Sequence, residues 1–278
     1  MARSYLFIPG NVPRMLQNAD VFEADALIID LEDAIAAYEK EEARTLTAEF
    51  LRAHRPESVE VYVRINAEDP LFTEDLLSMA PLGIDGVVLP KTTLASLESY
   101  RNSLEKHNLD VPVIGLIETP DAFFELLEIA RFPSLKGLLL GAEDLSATTG
   151  MKRRPGGEEL LYCRSRLMLA AKAAGIRAID TPWTSLDEEA LALDIDVANR
   201  LGFDGKCAIH PNQVPAINDA FFPSEKELKE ARRILKRHEE TNSMRFSLDG
   251  KMIDKPVVQK AKALLQKAET YRQKGGKP

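Results

Sequence analysis

The sequence predicts a (β/α)8 TIM barrel that carries a C-terminal extension of helices and a hairpin. Three observations carry that expectation. The chain has 278 residues, a length common for single α/β barrels. Eight short apolar runs, bounded by Gly, Pro and acidic residues, each precede a helix-forming stretch, at a spacing of roughly 25 to 35 residues that suits successive βα units. No early run is followed by the Gly-rich turn of a dinucleotide-binding sheet, because Pro9-Gly10-Asn11 is not G-x-G-x-x-G. An open doubly wound sheet is therefore the second choice. The repeat is architectural, with no residue-level repeat beneath it.

In order, Tyr5 to Ile8 form a strand broken at Pro9-Gly10, and Asn11 can cap a helix with Pro13 in its first turn, running to about Glu23. Ala26 to Ile29 form the second strand, ending in Asp30-Leu31-Glu32-Asp33, before a helix from Glu39 to Arg52. Val59 to Ile65 is the third, followed by a helix around Asp75 to Ala80. Gly86 to Leu89 is the fourth, ending at Pro90-Lys91 before a helix from Leu94 to Asn108. Val113 to Ile117 and Leu138 to Ala142 are continuous apolar runs, the mark of strands buried on both faces, with a helix from Ala122 to Arg131 between them. A loop spans Thr148 to Gly157. A helix from Glu158 to Ala174 stops at Gly175, and Ala178-Ile179 is the seventh strand. A helix from Leu186 to Leu201 stops at Gly202, and Lys206 to Ile209 is the eighth strand, ending at His210-Pro211.

The barrel is expected over residues 1–222 and the extension over 223–278. In the extension Ser224 can cap a charged helix to about Glu240, Asp249-Gly250 can turn a hairpin, and Pro256 opens a helix from Val257 to Tyr271. So short a segment lacks a core of its own and is expected to pack on the barrel or on a neighbouring subunit.

Hydrophobic residues at 45% and charged residues at 29% describe an ordinary soluble chain with material for a large core. A formal net charge of −8 argues against nucleic acid as a partner. Cys163 and Cys207 have no metal-ligand spacing and read as buried free thiols in a reducing compartment. No stretch approaches the roughly 18 apolar residues of a membrane span, and the first apolar run is too short for a signal peptide. A cytoplasmic protein with no membrane contact is expected.

In such a barrel the site lies at the carboxyl ends of the strands. Those ends carry Pro9-Gly10, Glu32-Asp33, Arg64, Asn66, Lys91, Glu118, Asp144, Asp180 and His210. The set is rich in carboxylates and holds no Ser/His/Asp or Cys/His arrangement. A buried unpaired carboxylate is too costly to serve the core, so Glu118 and Asp144, after neighbouring strands, can converge on a cation. Oxygen ligands suit Mg²⁺ or Mn²⁺ rather than zinc, and magnesium takes one or two carboxylates while leaving positions for substrate. Taken singly, an acid at a strand end is more often a helix cap or a salt-bridge partner. Glu32-Asp33 can cap the next helix or hold the metal's waters. Arg64, emerging from a buried strand, calls for an anionic partner. Lys91 as a Schiff-base lysine is the weaker reading, His210 reads as structural, and Lys152-Arg153-Arg154 reads as a solvated loop that can meet phosphates.

These strand ends resemble the citrate lyase beta-subunit-like group of the HpcH/HpaI aldolase superfamily, close to the malyl-CoA and citramalyl-CoA lyases. The resemblance rests on Arg3 to Asn11, Asp30 to Ala34, Val63 to Asn66, Leu89-Pro90-Lys91, Ile117-Glu118-Thr119, Gly141 to Leu145, Gly205 to Pro211 and Asp249 to Pro256, in the same order along nearly the whole chain. It implies a (β/α)8 barrel that cleaves or forms a carbon–carbon bond beside a thioester carbonyl, using Mg²⁺. By the same resemblance Glu118 and Asp144 ligate the metal, and Glu32 and Asp33 hold its waters. Arg64 faces the reacting oxygen. Arg3, Pro9, Gly10 and Pro182 contact the acyl-CoA. Asp254 is the acid/base donated by a neighbouring subunit, so a homotrimer or a hexamer is implied. The chemistry is coherent: a cation such as Arg64 stabilises a thioester enolate, and a carboxyl such as Asp254 can protonate it.

The second metal strand departs from citrate lyase beta subunits proper, where an Ala-Phe-Asp type sequence is more usual; here it reads Gly141-Ala142-Glu143-Asp144. This favours a 3-hydroxyacyl-CoA such as malyl-CoA or citramalyl-CoA, cleaved to acetyl-CoA and a 2-oxo acid. The alternative is the catalytic beta subunit of citrate lyase, acting on a citryl group held by an acyl-carrier partner and releasing oxaloacetate. A third reading is a non-catalytic CoA-binding or assembly subunit. The pocket-sizing residues are expected in the loops 148–157 and 180–185.

Overall fold

In the computed structural model eight parallel strands close on themselves, each hydrogen-bonded to its sequence neighbours and β8 to β1. The structure describes residues 2–241, 243 and 245–273. The strands are β1 Ser4–Pro9, β2 Ala26–Asp30, β3 Glu60–Arg64, β4 Gly86–Leu89, β5 Val113–Ile117, β6 Leu135–Leu140, β7 Arg177–Asp180 and β8 Gly205–Ala208. The helices that alternate with them are α1 Pro13–Gln17, α2 Lys40–Ala53, α3 Leu71–Met79, α4 Leu94–His107, α5 Leu126–Ala130, α6 Ala142–Thr149, α7 Leu161–Ala174 and α8 Glu188–Leu201. The expected (β/α)8 barrel is the fold.

Alternation along the strands decides what reaches the centre. Tyr5 and Phe7 of β1, Ala26 and Ile28 of β2, Tyr62 of β3, Ile114 and Leu116 of β5, Leu139 of β6, Ile179 of β7 and Cys207 of β8 pack as one cluster. Two residues beyond Ile28, Tyr62 and Leu116, the same inward face continues as Asp30, Arg64 and Glu118 at the carboxyl rim. At the amino end the Arg177 guanidinium donates to Glu60 and to the hydroxyls of Tyr5 and Tyr62.

Several elements depart from expectation for local reasons. β6 ends at Leu140, and Glu143 and Asp144 lie in the first turn of α6, a helix the sequence reading missed. Acids are favoured in a first turn by the helix dipole, so their position disguised a helix start as a strand end. The first helix is short, because Asn11 does not cap it: its amide donates to Glu39 at 3.0 Å, and Val12 stands at the cap without a side-chain bond. Asp187, rather than the expected region of Leu186, caps α8 by accepting from the backbone N–H groups of Glu189 and Ala190. His210 Nδ1 accepts from Asn212 N–H, a capping bond that supports its structural reading.

The chain divides into two units, and the division falls between Ile217 and Asn218, inside α9 Val214–Phe221, earlier than the boundary expected after residue 222. The second unit contains α10 Glu225–Thr241, the hairpin strands β9 Phe246–Leu248 and β10 Lys251–Ile253, and α11 Lys255–Gln273. Its core is Ala231, Ile234, Phe246, Ile253, Val258 and Ala261. Met1, Asn242, Met244 and residues 274–278, which end the expected extension, lie outside the described residues. Among the described residues no helix is long and apolar enough to cross a membrane.

Candidate active site

Strand register places Pro9, Asp30 and Arg64 in one row at the carboxyl rim. Arg64 is gripped on two sides of its fork: Nε donates to Asp30 Oδ1 at 2.8 Å and Nη2 to Oδ2 at 2.5 Å. Its Nη1 lies 3.2 Å from Glu32 Oε2 and 3.4 Å from Asp33 Oδ2, and its guanidinium carbon sits 5.2 Å from the centre of the Phe7 ring. Asp30 in turn accepts from the backbone N–H groups of Glu32 and Ala34, so the β2–α2 turn and the arginine are oriented by one carboxylate. Burial opposes the Arg64 charge, but the hydrogen bond and charge of Asp30, with Glu32 and Asp33, raise its pKa and keep it cationic. Sequence reasoning missed Asp30. Its signal was available, because Asp30 continues the inward alternation of Ala26 and Ile28.

Glu118 follows β5 and is 4% exposed. Its Oε1 accepts the backbone N–H of Lys91 at 2.7 Å. Lys91 adopts φ 48°, a left-handed conformation that a non-glycine residue holds at a cost of about 1–2 kcal/mol. That turn supplies the N–H, and the Lys91 side chain is exposed. Burial, then the charge of Asp144, push the Glu118 carboxyl up to about 7 against the lowering effect of the Lys91 N–H. Burial likewise raises Glu32, with Arg64 opposing. Gly141 leaves the room that Glu118 occupies: a Cβ there would lie 2.5 Å from Glu118 Cβ and 2.6 Å from Oε2.

Among the described residues no three His, Cys, Asp or Glu side chains gather into a ready-made metal cage. A pair of carboxylates with free positions beside them fits a hard, oxygen-seeking divalent cation that keeps waters and binds substrate oxygens, and does not fit structural zinc. A buried carboxyl held back from ionising by its surroundings is a group that such a cation would hold ionised. The residues present therefore fit magnesium.

Phe7, Asp33, Arg64, Glu118, Asp144 and Thr181 line one cleft of about 230 Å³ at this rim, with Pro182, Thr184 and Ile209 completing its wall. That volume is below the ~300–1,000 Å³ of sites that swallow a drug-sized ligand, so it suits the reacting end of a substrate. Below the wall, Lys206 and Arg164 are fully buried between β7, β8, α7 and α8. Lys206 Nζ donates to Asp180 at 2.7 Å, to Asp194 at 2.5 Å and to the Thr181 carbonyl at 2.6 Å. Arg164 donates to the same two carboxylates. Burial would raise Asp180, but the charges of Lys206 and Arg164 outweigh it and hold that carboxyl below its ordinary value. Asp180, a strand-end acid in the sequence, is thus a core counter-ion.

The remaining expectations sort by position. Arg3 is not at the carboxyl rim: it precedes β1 at the barrel's amino end, where Nε and Nη2 donate to Asp25 at 2.7 and 2.8 Å. An arginine before a strand and an arginine after one look alike in a motif, and here a buried partner claims the former. Pro9 and Gly10 do not line the cleft; Gly10 N–H donates to the Asp30 carbonyl, and a Cβ at Gly10 would lie 2.7 Å from Thr47 Oγ1. Pro182 does line it. Asp254 belongs to the second unit, where it opens α11 and accepts the Val257 N–H at 3.3 Å. Lys152 and Arg154 are exposed, but Arg153 is turned inward, so the basic loop is not simply solvated.

A family model described as HpcH/HpaI aldolase/citrate lyase matches residues 3–211, and one described as a carbon–carbon bond lyase of the TIM-barrel fold matches residues 171–272. The citrate lyase subunit beta of Leuconostoc mesenteroides subsp. cremoris is 38% identical over 283 residues, covering 96% of this chain and 93% of that protein. The (3S)-malyl-CoA thioesterase of Cereibacter sphaeroides is 33% identical over 279 residues, covering 96% and 94%. The CitE protein of Mycobacterium tuberculosis, solved with magnesium, acetoacetate and coenzyme A, superposes with a TM-score of 0.82 at 32% identity, covering 96% of this chain and 98% of that one.

Proposed function

The chain belongs to the HpcH/HpaI aldolase/citrate lyase family, and on that premise we propose that it is a magnesium-dependent carbon–carbon lyase. It splits a carboxylate-bearing hydroxyacyl thioester into an acyl thioester and a 2-oxo acid. The observation that carries this reading is the convergence of Arg64, Glu118 and Asp144 on one small cleft. Glu118 and Asp144 would hold the metal, with Glu32 and Asp33 beside it. Magnesium bound there supplies Lewis-acid polarisation of the substrate's oxygens. The chain's own contribution is Arg64, a cation whose orientation is set by Asp30 before substrate arrives. The electron pair of the breaking bond becomes a thioester enolate, and a pre-oriented cation stabilises that charge without reorganising. The hydroxyl gives up a proton and the enolate carbon takes one up, so the reaction is proton-neutral overall. Asp254 of a neighbouring copy is the group assigned to the carbon, which makes a homo-oligomer part of the proposal.

Between the two substrate readings, the comparisons reverse the order expected from the sequence. The citrate lyase subunit beta is the more similar relative, so a citryl group on an acyl-carrier partner, releasing oxaloacetate, comes first. A free CoA thioester comes second, favoured by the M. tuberculosis CitE complex with coenzyme A. The free thiols Cys163 and Cys207 accord with a cytoplasmic, reducing setting. Supplying Mg²⁺ with citryl-acyl-carrier protein, malyl-CoA or citramalyl-CoA, and trapping the 2-oxo acid with phenylhydrazine, tests the proposal. Oxaloacetate formed only with the carrier supports the first reading, and turnover of a free CoA thioester replaces it with the second. No 2-oxo acid from any of them overturns both.

A further inference from the structure

The wall of the cleft formed by residues 181–185 is fastened at several points. Lys206 Nζ holds the Thr181 carbonyl, Gln213 Nε2 donates to the Trp183 carbonyl at 2.9 Å and the Ser185 carbonyl at 3.2 Å, and Ala142 N–H donates to Thr181 Oγ1 at 3.3 Å. A further fastening comes from the loop between α6 and α7. Arg153, in that loop, has a side chain only 11% exposed. Its Nη1 donates to Glu143 at 2.6 Å, its Nη2 lies 3.4 Å from the Pro182 carbonyl, and its guanidinium carbon lies 5.3 Å from the centre of the Trp183 ring. Glu143 is the immediate neighbour of Asp144 in the first turn of α6. Pro182 is itself cleft wall.

We propose that Arg153 is a positioning residue that latches the metal-bearing turn of α6 to the β7–α8 loop and so sets the width of the cleft between Asp144 and Pro182. A guanidinium can do this because its donors diverge in a fixed plane while its face stacks on an indole. A lysine has one ammonium and cannot span both loops. The latch acts on the 2-oxo acid end of the reaction, since that small ligand and the two carboxylates share the cleft; this placement rests on the function proposed above.

Trp183 is the only tryptophan in the chain and is 8% exposed, so its emission reports the latch directly. Arg153→Met, Arg153→Lys and Glu143→Gln are compared with the full-length wild type by acrylamide quenching, by Mg²⁺ titration and by titration of oxaloacetate or pyruvate with Mg²⁺ present. Expected for Arg153→Met is a several-fold rise in Trp183 quenching. Its Mg²⁺ affinity should stay within about twofold, and its affinity for the 2-oxo acid should weaken about tenfold, the scale set by sub-ångström misplacement of a binding wall. Arg153→Lys should not restore the 2-oxo acid affinity, and Glu143→Gln should move it in the same direction as Arg153→Met. A residue that merely stabilised the fold would lower the melting temperature and leave that affinity intact. Unchanged quenching in Arg153→Met and Glu143→Gln overturns the latch. Wild type that binds neither 2-oxo acid overturns the functional reading instead, and the quenching comparison then decides the latch alone.

Discussion

Replacing Glu118 by glutamine separates the cost of burying this carboxylate from its service to a metal. Burial and the neighbouring Asp144 charge move the carboxyl from an ordinary 4.5 to about 7 in the folded chain. Each unit corresponds to about 1.4 kcal/mol, so the ionised form costs the metal-free fold about 3 kcal/mol. The sign follows from proton counts. Between about pH 4.5 and 7 the unfolded chain has released this proton and the folded chain retains it, so the folded state binds more protons and stability falls as pH rises through that window, levelling above it. Glutamine keeps an oxygen to accept the Lys91 N–H and has no charge to bury. Metal-free Glu118→Gln should therefore match wild type near pH 4.5 and exceed it by up to about 3 kcal/mol at pH 8. With Mg²⁺ at one thousand times its dissociation constant the order should invert, because wild type then gains about 4.1 kcal/mol and the variant gains little. Urea unfolding at both pH values, with and without Mg²⁺, measures all four quantities. If wild type and variant share the same pH dependence, or if Mg²⁺ stabilises the variant equally, the reasoning is refuted.

Gly141→Ala places a methyl 2.5 Å from Glu118 Cβ, which should cost about 1–3 kcal/mol by thermal melting and weaken Mg²⁺ binding through displacement of that carboxylate. Lys206→Met leaves Asp180 and Asp194 sharing Arg164 alone in a fully buried site, and chemical unfolding should show a loss of about 3–5 kcal/mol; a loss under 1 kcal/mol would mean that water enters the cluster. Glu118→Ala and Asp254→Ala chains, each inactive, should regain up to about a quarter of wild-type turnover when co-assembled, the share of sites that draw an intact residue from each chain. No recovery in verified mixed oligomers would place the proton donor elsewhere.

The barrel was legible because buried parallel strands need continuous apolar runs and their connections need helices, and both leave marks within a few residues. Glu118 stood out for the same reason, as an acid directly after a buried run, whereas Asp144 was read as a strand end and lies in the first turn of α6. Arg3 shows the limit. Its motif matches, yet a position on the amino side of β1 and the nearby Asp25 assign it to the opposite end of the barrel. Asp30 and Arg153 show the converse. Asp30 was given no role of its own and Arg153 was read only as part of a solvated basic loop, since their partners lie 34 residues away at Arg64 and 29 residues away at Pro182.

Local order along the chain was thus enough for the eight βα units, the rim on which chemistry collects, and the types of residue placed there. Three-dimensional packing alone assigned their partners. Hydrophobic periodicity is written in neighbours on the chain, whereas a carboxylate's acidity, an arginine's counter-ion and a cleft's width depend on groups that only closure of the barrel brings together. The same Asp-to-Arg chemistry orients a rim cation lining the cleft at Asp30 and Arg64, and serves the core at Asp180 and Arg164. Burial and geometry, rather than residue type, separate the two.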